Sequence, residues 1–95
     1  ASDYAMHAAD ESVKKLNPVG EWNSSKIVFT PEKVEHWLNG EKVLTFVPWS
    51  EDWYAKKNGG KWKDEKYYGS FKTGYIGFQD HSSPIWFRNI KIKKL

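Results

Sequence analysis

Ninety-five residues with a formal net charge of +3 allow one domain and a modest core, with roughly 60–65% of the unfolded surface buried if the chain folds alone. Fourteen lysines against one arginine, interleaved with acids, do not make the clustered basic face of a nucleic-acid binder. The absence of cysteine rules out disulfides and thiolate metal sites, and no apolar run approaches the roughly 18 residues of a membrane span.

Aromatic residues make up 17% of the chain, yet its mean hydropathy is only −0.77. Rings in so polar a context suit aromatic platforms at the surface as well as in the core. The opening ASDYAMHAADES has no charged-then-apolar leader and reads like the interior of a longer protein. Residues 1–18 carry little periodicity. Ser2 to Met6 reads as a strand end, and Ala8 to Leu16 as one or two helical turns or a surface loop.

Pro18 and Gly20 lead into the first convincing strand, predicted over Glu21 to Thr30 from its Trp, Ile, Val, Phe and Thr content. Pro31 separates it from a hairpin over Lys33 to Val47. There Val34, His36 and Leu38 alternate with Glu35 and Trp37 before Asn39-Gly40. This dipeptide is a strong two-residue turn signal because both residues tolerate positive φ. His36 shares parity with the apolar pair and is expected to face inward.

Residues 48–70 form an aromatic-rich insertion. Ser50 suits an N-cap, Glu51 and Asp52 suit a helix start, Lys56 and Lys57 suit its end, and Asn58-Gly59-Gly60 stops it. A short helix is therefore predicted over 51–57, bearing Trp53 and Tyr54. Trp62, Tyr67 and Tyr68 follow in a loop whose rings either meet a ligand or pack on the sheet. Thr73 to Asp80 and Ile85 to Lys94 are predicted as closing strands, with Gly77 leaving room for a close approach. The elements sum to an all-β antiparallel sandwich.

GEWN (Gly20–Asn23), VEHWLNG (Val34–Gly40), YIGFQDH (Tyr75–His81) and WFRNIKIKKL (Trp86–Leu95) occur in that order. Over about residues 18–95 the chain closely resembles the C-terminal half of the 3-keto-disaccharide hydrolase domain family, also described as 3-keto-glucoside lyase and 3-keto-2-hydroxyglucal hydratase domains. The aromatic insertion resembles that of family members from gut-type Bacteroidota. The resemblance implies a concanavalin/laminin-G-like jelly roll with a sugar site on its concave sheet, the chain supplying the C-terminal portion of one domain. It also implies a small saccharide substrate, a periplasmic or cell-envelope location, and an N-terminal half of the same domain as partner. The family motif usually has Gly after QDH, where this chain has Ser82-Ser83-Pro84, so that loop is expected to differ in shape.

A 3-ketone acidifies the C2 hydrogen, so the implied chemistry is C2 deprotonation, loss of the anomeric substituent, and hydration. It needs a base, an oxyanion stabiliser and an acid, rather than the paired carboxylates of an ordinary glycosidase. No Gly-rich dinucleotide motif is present, so the oxidation that installs the ketone belongs to another enzyme, and no cofactor is expected. His81 is the first candidate for acid or base, with Asp80 to orient it or to act itself; the plainer reading is a strand-end turn capped by Asp80. Arg88, the lone arginine, offers a planar fork for an oxyanion or a cross-strand ion pair. His36 completes the catalytic candidates, although a core histidine explains it more simply. Glu35, Trp37, Gln79 and Trp53 are the candidate sugar contacts. His36, His81 and Glu35 can ligate a metal, but no tight spacing demands one. The alternative function is a non-catalytic carbohydrate-binding module of the same fold.

Overall fold

The computed structural model describes residues 1–95. Three strands, β1 (Ser25–Phe29), β2 (Val34–Leu38) and β3 (Glu41–Phe46), form one antiparallel sheet with β2 in the middle, and helix α1 (Glu51–Gly59) follows. The antiparallel all-β character and the single short helix match the expectation. Strand β1 starts later than predicted because Glu21 to Ser24 form a turn and its exit. There the Asn17 side-chain amide donates to Trp22 O at 2.7 Å, and its backbone N–H donates to Asn23 Oδ1 at 2.8 Å.

The Asn39-Gly40 turn is as the sequence predicts, with φ of 48° and 84°. Asn39 adds a second function: its side chain accepts from Ser24 N at 2.8 Å and donates to Lys15 O and Asn23 Oδ1, tying the turn to the start of β1. The β2–β3 register shifts after His36, so Leu44 pairs with His36 and Lys42 with Trp37. Val43 is the unpaired residue of this bulge. Its carbonyl, free of the ladder, accepts from Asp10 N at 2.7 Å.

That bond docks the N-terminal segment on the sheet. Ala9 joins Leu38 and the 2%-exposed Val43 in the core, with Val13 packed alongside. Full burial of side chains such as Leu38 and Val43 stabilises the fold by about 1.5–3 kcal/mol each. The expected strand end at Ser2 to Met6 is a turn closed by an isolated bridge between Asp3 and His7.

Helix α1 runs two residues beyond the expected 51–57. Ser50 Oγ accepts from Trp53 N at 3.2 Å, while the hydroxyl donates to Val47 O at 2.8 Å. Trp53 is buried beneath Gly69, whose φ of +64° and missing Cβ let the loop pass the indole; a Cβ there would sit 2.7 Å from the ring.

The two closing strands are not formed. From Phe71 to Leu95 the chain is exposed throughout and makes no hydrogen bond. Its two apolar runs touch at Phe78 and Phe87, whose ring centroids lie 4.7 Å apart. Strand propensity alone does not make a strand, because the backbone N–H and C=O groups need a neighbouring edge to pair with. The chain by itself thus supplies one layer, and Ile76, Phe78, Ile85, Phe87, Ile90 and Ile92 remain exposed.

Candidate functional site

Strand β2 places Glu35 and Trp37 side by side on the face opposite Val34 and Leu38. Glu35 is 8% exposed, because Lys33 Nζ lies 2.6 Å from its carboxylate, Trp37 Nε1 donates to it at 3.1 Å, and Lys42 stands at 3.7 Å. The Lys33 bond, then the Trp37 bond, hold its carboxyl below the usual carboxylate range. An ionised Glu35 so engaged is an acceptor and an anchor rather than a free base. The Trp37 ring is covered by Lys26 Nζ at 4.4 Å, with Lys42 Nζ at 6.0 Å.

His36 departs from its expectation. It is half-buried rather than an enclosed core residue, with Nδ1 2.6 Å from Ala1 O and its ring edge toward Phe46. Its position next to the register shift and under the N-terminal residue accounts for the partial exposure. Gln79, Asp80 and His81 lie together on the exposed C-terminal run, apart from any sheet. The structure therefore brings Glu35, Trp37 and His36 together on one strand, and leaves Gln79, Asp80 and His81 on one exposed stretch, without joining the two groups. Arg88 makes no ion pair; its guanidinium lies 4.1 Å from the Trp22 ring centroid. Trp53 is 5% exposed and presents little ring to a ligand. No three His, Asp or Glu side chains converge where an ion would sit. No helix is long and apolar enough to cross a membrane.

Two features escaped the sequence reading. His7 is buried, stacked on Phe46 at 4.6 Å, with Nδ1 donating to Asp3 at 2.8 Å and Nε2 facing Asp52 of α1 at 3.4 Å. The four-residue spacing from Asp3 to His7 was the available signal. The Asp52 carboxyl is held below its usual range, chiefly by the hydrogen bond from Lys56. The second feature is Lys57, which is 7% exposed and lines a cavity built from α1 and the loop after it. Its place in the last helical turn had marked it only as a cap.

Comparison with known proteins bears on this arrangement. A 3-keto-disaccharide hydrolase of Bacteroides thetaiotaomicron is 35% identical over 92 residues, which take in 86% of this chain and 32% of the relative. A crystal structure of a candidate glycosyl hydrolase from Parabacteroides distasonis ATCC 8503 matches with a TM-score of 0.63 and 46% identity, over 72% of this chain and 30% of that one. The chain thus spans about a third of the length of each of these relatives. The family model described as the 3-keto-alpha-glucoside-1,2-lyase-like domain matches residues 1–93, and the chain belongs to that family.

Proposed function

We propose that this chain serves the cleavage of 3-keto-glycosides, including 3-keto-disaccharides, by elimination and hydration. The observation that carries the reading is the family match over residues 1–93, supported by the relative named for this hydrolysis. A base removes the C2 proton, made acidic by the neighbouring ketone, and the electron pair enters the enolate. The C1–O bond then breaks, and the aglycone leaves with a proton from a general acid. Water adds across C1 and C2 of the unsaturated ketone, placing oxygen on C1 and hydrogen on C2. The sum is hydrolysis, with no change of oxidation state.

His81 is the proposed proton-transfer group, with Asp80 orienting its ring. Gln79, Glu35 and Trp37 contact the sugar, Trp53 backs the site, and Arg88 and His36 stand near the developing oxyanion. For these groups to meet, the exposed run 73–95 pairs with further strands of the same jelly-roll domain. The unpaired backbone and exposed apolar side chains of that run support this pairing. The family's setting favours a periplasmic or cell-envelope location. A binding module without turnover fits less well, because buried Trp53 and the lysine-covered Trp37 do not form an open aromatic groove.

The test compares a 3-keto-glucoside with the parent glucoside as substrates. Aglycone is expected from the first alone, and His81→Ala is expected to cut its release about a hundredfold. Release from neither substrate, with both bound, would favour the module. A His81→Ala effect below about threefold would remove that residue from the proton-transfer role.

A further inference from the structure

The loop after α1 folds back beside the helix and borders an open pocket of about 400 Å³, within the range of about 300–1,000 Å³ typical of small-molecule sites. Trp53 and Tyr54 meet edge to face at 5.1 Å on its helical side. Tyr68, stacked on Trp62 at 4.3 Å, stands on the loop side, and its phenol, pushed up by burial, stays neutral and able to donate.

The charge at this cavity is unbalanced. Lys57 is buried, yet its ammonium reaches only two neutral oxygens, Trp62 O at 3.3 Å and Asn58 Oδ1 at 3.4 Å. No carboxylate lies within ion-pair distance of it, whereas all six ion pairs of the chain are made by other lysines or His7 with Glu35, Asp52, Glu11 or Asp3 at or below 3.7 Å. Lys63 and Lys66 also line the cavity and are likewise without an acidic partner. The single acid there, Asp64, pairs with none of the three. The carbonyl end of α1 offers Lys57 a partial negative charge, but not a counter-ion. A buried ammonium is ordinarily paired, and one held only by two neutral oxygens beside a lysine-rimmed hollow is suited to receive an anion.

We infer that this cavity is a subsite for a pyranose carrying an anionic group, a carboxylate or a sulfate, with Lys57 as the direct partner of the charge and the Tyr54 and Tyr68 rings beside the sugar. The subsite rests on the proposed action on saccharides and narrows it to acidic ones. Neutral sugars satisfy the rings but leave three ammonium groups unmatched.

The test uses NMR titration of the protein with methyl β-D-glucuronide, methyl β-D-glucoside and inorganic sulfate. The glucuronide is expected to bind at least about tenfold tighter than either other probe, shifting the Tyr54 and Tyr68 resonances. Lys57→Met is expected to bring the glucuronide Kd within about threefold of that for the glucoside. Should that variant fail to fold, the exposed double variant Lys63→Gln/Lys66→Gln is expected to weaken glucuronide binding several-fold. Equal binding of the two glycosides by the wild-type protein, shifts confined to other residues, or sulfate binding as tightly as glucuronide would each overturn the subsite. Cleavage of a neutral 3-keto-glucoside is scored separately. Cleavage without an acidic preference overturns the subsite alone, whereas acidic preference without cleavage supports the subsite and sinks the proposed reaction.

Discussion

Gly69 and Glu35 are single residues on which larger arrangements turn. The left-handed φ of Gly69 lets its carbonyl accept from Trp49 Nε1 at 2.6 Å while the loop crosses the Trp53 ring. Alanine there meets both a φ penalty of about 1–2 kcal/mol and an overlap with the indole. Gly69→Ala is expected to destabilise the protein by at least about 2 kcal/mol in chemical denaturation; a loss under about 0.5 kcal/mol would contradict the packing described. Glu35 acts through its charge. Its folded carboxyl titrates below the unfolded value, so its contribution is complete above the unfolded pKa and is lost as pH falls through the folded one. Wild-type stability should therefore fall below the ordinary carboxylate range more steeply than that of Glu35→Gln. Parallel acid limbs in the two proteins would mean that the Lys33 and Trp37 bonds contribute no pH-dependent stability.

At the level of elements, what was legible in sequence was local. Asn39-Gly40 named its turn because few other pairs accept two positive φ values, and the residues around Ser50 named α1 because caps act within one helical turn. Replacing Ser50 with alanine removes the acceptor for Trp53 N and is expected to cost about 1 kcal/mol of thermal or chemical stability. An unchanged midpoint would mean that water replaces the cap without loss. The docking of Ala9 and Asp10 on the bulge was not legible, because it depends on Val43, more than thirty residues away. The closing runs show the converse. Their alternation and β-branched content were plain, but a ladder also needs an opposing edge, which these residues do not find within the chain. The candidate site divides along the same line. Glu35, Trp37 and His36 share a formed strand, whereas Gln79, Asp80 and His81 share only an exposed stretch outside any strand.

The molecule as a whole carries the mark of an unmatched surface. Its accessible area of 8,223 Å² exceeds the roughly 5,700 Å² expected of a folded monomer of this mass. Its radius of gyration of 14.6 Å likewise exceeds the roughly 12 Å of a compact domain of this length. Much of the excess belongs to the apolar side chains of residues 71–95, which suit the buried face of a sheet. Pairing that run with further strands of the domain would cover them and draw His81 toward the β2 face, where the proposed reaction needs its base. The chemistry leaves an isotopic trace that ordinary glycoside hydrolysis does not. The most direct measurement is cleavage of a 3-keto-glucoside in D₂O, with the released 3-keto sugar examined by NMR before it exchanges spontaneously. Elimination and hydration predict deuterium at C2 in step with aglycone release. Aglycone released at full rate with protium retained at C2 would contradict the account.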